Sequence, residues 1–180
     1  SIDKQGKLTD QLKVKIESAD AMTELEDIYL PYKPKRRTRA TIAKEKGLEP
    51  LAKLIFEQSD FDLEIEAEKY IDKEKEIEDT ATALAMARDI IAEWISEEQT
   101  ARAEIRELYQ EKGVFSTKVI PGKEEEALKF KDYYEWQEPV KATPSHRILA
   151  MRRGANEKFL ILRVLVVEEL AFEILEKLFV

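Results

Sequence analysis

The chain has 180 residues, of which 38 are acidic and 30 are basic, so its formal net charge is −8. It contains no cysteine and one histidine, which excludes a disulfide-stapled fold, a thiolate metal site and a catalytic pair of histidines. No apolar run reaches the roughly 18–20 residues of a membrane span, and the first residues lack the basic and apolar regions of a signal peptide. We therefore expect a cytoplasmic protein without a membrane partner or a cofactor.

The composition favours helices. Only 5 glycines and 6 prolines interrupt the chain, while the strong helix formers Ala, Leu, Glu and Lys are abundant. The predicted fold class is mainly α and multi-helical, with a helix-turn-helix-like unit at about 38–58 and at most one short antiparallel pair of strands.

In chain order, the first two predicted helices follow apolar periodicity and capping signals. The first begins near Thr9, after which apolar residues recur every three or four positions. The second begins at Thr23, because Thr23 and Glu26 fit a capping box, and it ends near Tyr29.

Prolines and a glycine then divide the chain. The two prolines of residues 30–35 predict an extended segment. A helix is predicted over 38–46, ended by Gly47 in the left-handed conformation, and another over 50–58 with proline in its first turn.

Residues 60–79 contain ten acids and three bases, and we expect a solvated helical face there. The longest helical signal covers 80–109 with a break near Ser96, and Gly113 ends it. Residues 114–120 and 159–167 are rich in β-branched residues and are predicted to be strands that pair antiparallel.

Two further helices complete the prediction. One begins at Thr143 and Pro144 and ends at Gly154, and the last covers 168–179. We expect a helical region at 1–112 and a smaller α+β or helical segment at 113–180 packed on it. The apolar last residues suggest a fragment of a longer protein.

The sharpest local feature is a run of bases on a proline-containing loop. Tyr32 precedes five bases within seven residues, Lys33, Lys35, Arg36, Arg37 and Arg39. Because a helix start with free N–H groups follows, phosphate is the natural ligand, and Tyr32 and the guanidinium groups can stack on bases. The alternative, equally weighted, is that these bases pair with acids of the same molecule or of a neighbouring domain.

Ala43 and Gly47 have the spacing of a helix-turn-helix. The apolar residue expected six positions after the glycine is replaced by Lys53, and the second helix is largely apolar with one base. A helix that reads base edges needs polar and basic side chains. We therefore interpret this pair as packing architecture, with any DNA contact made by the preceding loop.

A second basic patch contains Arg147, Arg152 and Arg153, beside His146 and Lys158. Favourable interaction with the helix macrodipole accounts for Arg152 and Arg153 without any ligand. A lone histidine near a helix start is expected to be structural.

The sequence gives little support for catalysis or for a metal site. It has no Walker loop, no GxGxxG and no GxSxG motif. The three adjacent acids at 124–126 are expected to complement a helix dipole rather than to bind a metal ion. The predicted catalytic and metal-ligating sets are both empty.

Two stretches resemble the Tex family of bacterial transcription accessory proteins. The first covers residues 25–40, with 42–43 and 47–52. The second covers 122–127, 129–130 and 132–134, with 144–147 and 153–154. The resemblance implies an N-terminal helical region of a much longer protein, which also has an RNase H-like domain, helix-hairpin-helix motifs and an OB-fold RNA-binding domain. It implies nucleic-acid binding by the parent protein and no catalytic residue in this chain.

The predicted function is therefore a non-catalytic helical scaffold of a Tex-like protein that supports weak, sequence-independent nucleic-acid binding through the loop of Lys33 to Arg39. Its expected partners are nucleic acid, other domains of the parent protein and the transcription machinery. The alternative is a protein–protein or interdomain docking module without nucleic-acid contact.

Overall fold

A computed structural model describes residues 2–33, 36–58 and 60–180. The chain divides into two compact units, Ser1–Gln99 and Thr100–Val180. This boundary lies at the start of the helix Gln99–Lys112. The boundary predicted from the sequence lies at the end of the same helix, after residue 112. The mainly α fold class is confirmed, and the strands form one small antiparallel sheet.

The described part of the first unit is helical. Its α-helices are α1 (Asp10–Glu17), α2 (Met22–Tyr29), α3 (Arg39–Glu45), α4 (Glu49–Phe56), α5 (Leu63–Glu68) and α6 (Thr80–Glu97). Glu98 has extended backbone, with φ −67° and ψ 128°, and ends α6 at the predicted break.

Helix α6 is the centre of the first unit, and α3, α4 and α5 pack against it. Ala40 and Ala43 of α3 are buried with Ala83, Ala87 and Ile90 of α6. Small side chains on both helices allow the backbones to approach closely. Helix α3, which follows the basic loop, is therefore fixed by core packing.

Helix caps account for several starts. Thr9, near which the first helix is predicted to begin, caps α1 and accepts a hydrogen bond from the backbone N–H of Leu12, 3.2 Å away. The capping box at Thr23 is wrong, because α2 already begins at Met22 after the extended backbone of Ala21. Thr23 therefore lies inside the first turn.

The extended segment predicted for 30–35 is also corrected. Leu30–Tyr32 forms a 3₁₀ turn that continues from α2, and its proline occupies the first turn, where no N–H is needed. Lys33 is extended, with φ −68° and ψ 130°. Residues 34 and 35 lie outside the described residues.

The second unit combines helices with a sheet of order β2-β1-β3. Its elements are α7 (Gln99–Lys112), β1 (Val114–Val119), β2 (Glu135–Pro139), α8 (Ser145–Asn156), β3 (Leu160–Leu165) and α9 (Glu168–Phe179). The predicted antiparallel pairing of β1 with β3 is confirmed, with Thr117 opposite Leu162. The prediction missed β2, which pairs antiparallel with the other side of β1.

Gly154 does not end its helix as predicted. Helix α8 continues to Asn156, and Lys158 takes the left-handed conformation after it, with φ 60°. A Cβ atom at position 154 would lie 2.6 Å from Cδ1 of Leu160. The glycine therefore serves close packing of α8 on β3.

None of the helices in the described part of the chain combines the length and the hydropathy that a transmembrane helix requires.

Candidate nucleic-acid interface

Both described ends of the basic loop, defined as residues 33–39, are held by hydrogen bonds. Before it, the Gln5 side-chain amide donates to the carbonyl of Tyr32 at 2.8 Å. After it, Thr38 caps α3, because its Oγ1 accepts from the N–H of Thr41 at 3.1 Å. The described residues on both sides of the loop are therefore held in place.

Glu93 of α6 binds the C-terminal end of the loop. Its Oε1 accepts a hydrogen bond from the Thr38 hydroxyl at 3.1 Å, and its Oε2 lies 2.8 Å from Nζ of Lys44. The side chains of Glu93 and Lys44 are 11% and 30% exposed. This half-buried bridge joins both ends of α3 to α6.

Arg37 is the one base of the loop with an ion pair among the described residues. Its Nη2 lies 2.8 Å from Oε2 of Glu45, with side-chain exposures of 69% and 54%. An ion pair this exposed contributes about 0–1 kcal/mol. The pair therefore places little constraint on Arg37.

Lys33, Arg36 and Arg39 are exposed. Within the described part of the chain, none of the three forms an ion pair. Tyr32 is half-buried, and Lys35 lies outside the described residues. The alternative drawn from the sequence was that acids of the same molecule pair with the loop bases. Among the described loop bases, such a pair is seen at Arg37 alone.

The position of these bases is unfavourable for helix stability. A helix start carries the positive end of the macrodipole, where acids are favoured by about 0.3–1 kcal/mol and bases are disfavoured. The first turn of α3 nevertheless contains Arg39 and no acid. Helix stability therefore does not explain why a base lies here.

The N–H groups at the start of α3 are a poor phosphate site, in contrast to the sequence-based expectation. Thr38 occupies the cap, and the Glu93 carboxylate lies against its hydroxyl. A groove of about 480 Å³ beside Arg39 is also lined by three acids of α6, Asp89, Glu93 and Glu97. Arg39 therefore lies beside acids, whereas Lys33 and Arg36 form no ion pair within the described residues.

The second helix of the helix-turn-helix-like unit is part of the core. Leu51 and Ala52 of α4 are fully buried, and Gly47 makes the turn with φ 92°. Lys53 is exposed and lies 3.7 Å from Oε1 of Glu57. The described α4 therefore offers solvent almost no basic surface for a DNA groove.

In the second basic patch, Arg147 has a structural role. Its Nη1 lies 2.6 Å from Oε1 of Glu138, and its guanidinium carbon lies 5.3 Å from the centre of the Trp136 ring. Arg147 thus fixes α8 to β2. Sequence reasoning could not find this contact because it overlooked β2.

Arg152, Arg153 and His146 are exposed on the outer side of α8. They line an open groove of about 670 Å³. Arg152 and Arg153 form no ion pair among the described residues.

The described pKa shifts lie away from the basic loop. A hydrogen bond from Lys46 and its charge lower the pKa of Glu76. Hydrogen bonds from Thr82 lower the pKa of Asp79, which caps α6.

Among the described residues, no cluster of acids or histidine is arranged to hold a metal ion.

Comparison with known proteins places these features in a family. The model of the Tex central region-like family matches residues 58–177. The sequence resemblance had been assigned to the N-terminal helical region, whereas this model is described as the central region. The matched residues cover the sheet of the second unit and the helices α5 to α8, but they do not include the basic loop, α3 or α4.

Several relatives are similar over most of the chain. Protein YhgF of Escherichia coli is 47% identical over 87% of this chain, and transcriptional accessory protein Tex of Neisseria gonorrhoeae is 46% identical over 87%. Protein tex of Bordetella pertussis is 46% identical over 91%. The chain spans about a fifth of the length of these relatives, between 20% and 21%. The chain belongs to the Tex family of transcription accessory proteins.

Proposed function

We propose that this chain is a non-catalytic helical scaffold of a Tex-like protein that supports sequence-independent nucleic-acid binding through the basic loop. The contacts are phosphate contacts by Lys33, Lys35, Arg36, Arg37 and Arg39, with Tyr32 available for stacking. The wider partners are other domains of the parent protein and the transcription machinery, in the cytoplasm.

The observation that carries this proposal is the exposure of Lys33 and Arg36 without an ion pair in the described structure. Both ends of their loop are tied to the first unit through Gln5 and Glu93. Less entropy is lost when an anchored loop binds than when a free one does. The printed name of the gonococcal relative supports a role in transcription.

The test is fluorescence anisotropy with a labelled single strand and a labelled duplex, using the whole chain. Binding should weaken with salt at a log–log slope of about −3 to −5 on duplex, for three to five phosphate contacts. The double variant Lys33→Glu/Arg36→Glu should weaken binding by about tenfold or more at low salt.

The matched control is Lys15→Glu/Lys73→Glu, which changes the net charge equally at two exposed bases of the same unit. It should change the affinity far less. Equal effects of both variants, or no binding at low salt, would contradict the proposal.

A second candidate is docking of the basic loop on an acidic protein surface. The Arg37–Glu45 pair favours it, because it shows a guanidinium group of the loop donating to a carboxylate. Under this reading, polyglutamate competes for the loop as well as an oligonucleotide of equal charge does, and the other Tex domains retain the chain without nucleic acid.

The absence of an enzymatic role is part of the same proposal. A nuclease assay with added magnesium, on a preparation free of contaminating nuclease, should give no turnover above buffer. Turnover that purifies with the chain would overturn this part of the proposal.

A further inference from the structure

We infer that the outer face of α8 is a second phosphate-binding surface, which contacts a nucleic-acid backbone through Arg152, Arg153, His146 and Asn156. This surface belongs to the second unit and does not depend on the basic loop.

The donors follow one face of the helix. His146 and Arg153 are seven residues apart and lie nearly above one another, and Asn156 and Arg152 lie beside them on the same half of the helix. Together they span about 15 Å, at about 1.5 Å per residue. They line the groove of about 670 Å³ described above.

The positive charge of this face is not compensated locally. Glu157 is the one acid in the groove lining, and its carboxylate is bound by Lys129. The second unit as a whole contains 14 bases and 14 acids, whereas the first unit carries the entire net charge of the chain. The approach of a polyanion to α8 is therefore not opposed by the charge of its own unit.

The surface fits a phosphate backbone better than an acidic protein. A protein partner usually inserts a large side chain into a well-packed apolar pocket. Here the apolar lining consists of Ala150 and Leu149, and Leu149 projects with 69% exposure. Guanidinium and amide donors spaced along a helix instead suit the repeated oxygens of a phosphodiester chain.

The experiment measures binding of a labelled oligothymidylate to the whole chain carrying Lys33→Glu/Arg36→Glu, so that the basic loop contributes little. In this background, Arg152→Glu/Arg153→Glu should lower the affinity by about tenfold at low salt, and the salt slope should fall by about 1.4 for two single-strand contacts. Arg152→Gln/Arg153→Gln should reduce the slope equally, and it serves if the glutamate variant fails to fold.

The matched control is Lys112→Glu/Lys177→Glu. It changes the net charge equally, and both lysines lie in the last turns of helices, α7 and α9, as Arg153 does in α8, so it repeats the macrodipole effect of Arg153. Equal loss of affinity in the control, or displacement of the strand by polyglutamate at equal charge, would overturn the inference.

This result is separable from that for the basic loop. If Lys33→Glu/Arg36→Glu leaves wild-type binding unchanged while the α8 variant weakens it, the proposed function fails and the α8 surface stands. The reverse pattern retains the loop and removes the α8 surface.

Discussion

Glu93 illustrates, at the scale of a residue, how the core positions a surface loop. Its carboxylate binds the cap residue Thr38 with one oxygen and Lys44 with the other. A charge this deeply placed is stabilising only while both partners remain. The bases of the loop are therefore presented from a point that α6 fixes.

Replacing Glu93 with Gln should destabilise the first unit by about 1–3 kcal/mol, because Lys44 loses a half-buried charged partner. Urea unfolding measures this, with exposed Glu78→Gln as control. In a double-mutant cycle with Lys44→Met, coupling below about 0.3 kcal/mol would contradict the role assigned to the bridge.

Asp79, the cap of α6, links stability to pH. Its Oδ1 accepts from the N–H of Thr82 at 2.7 Å, and this hydrogen bonding lowers its pKa below the ordinary 3.8. For a carboxyl with a lowered folded-state pKa, the stabilisation is complete above the unfolded-state pKa and is lost as pH falls through the folded-state pKa.

Asp79→Asn keeps a capping side chain but does not titrate. The melting temperature of the native chain should therefore fall more steeply than that of Asp79→Asn as the pH is lowered from about 6 to about 3. Parallel curves in circular dichroism melts would show that the cap does not contribute to acid sensitivity.

At the scale of elements, local signals in the sequence predicted most helices and the β1–β3 pair. The strand β2 was missed because its residues, Glu135–Pro139, include no β-branched side chain. Pairing with β1 makes β2 an edge strand, in which alternate side chains are half-buried. Pro139 is tolerated at this edge. A pairing between distant segments leaves little trace in a local pattern.

The role of Gly154 also could not be predicted from a local pattern, because this glycine allows close packing against Leu160 and does not end the helix. Gly154→Ala should destabilise the second unit by about 1–2 kcal/mol, because overpacking against buried Leu160 outweighs the gain in helix propensity. Thermal or urea unfolding measures this.

The control is the same change in a Leu160→Ala background, where the space is free. There Gly154→Ala should be neutral or stabilising. A similar cost in both backgrounds would show that the cost does not come from this contact.

At the scale of the whole molecule, charge is distributed unevenly. Residues 60–79 hold ten acids and three bases, in the same unit as the basic loop. The loop itself was identified from sequence, because five bases in seven residues form a local pattern. Its anchors Gln5 and Glu93 were not, since each depends on a tertiary contact.

The acidic segment should oppose polyanion binding at long range. Glu64→Gln/Glu68→Gln/Glu74→Gln, at three exposed positions, should raise the affinity for a single strand about two- to threefold at low salt. The gain should vanish when the Debye length falls to about 3–5 Å. A gain that persists at high salt would indicate a change in structure instead.

The most direct test of the central claim is the salt slope of duplex binding for the native chain and for Lys33→Glu/Arg36→Glu. Loss of two phosphate contacts should make the slope shallower by about 1.8. Both bases are exposed and form no ion pair within the described residues, so the variant should remain folded, which a circular dichroism melt checks. An unchanged slope in this folded variant would contradict phosphate binding by the basic loop.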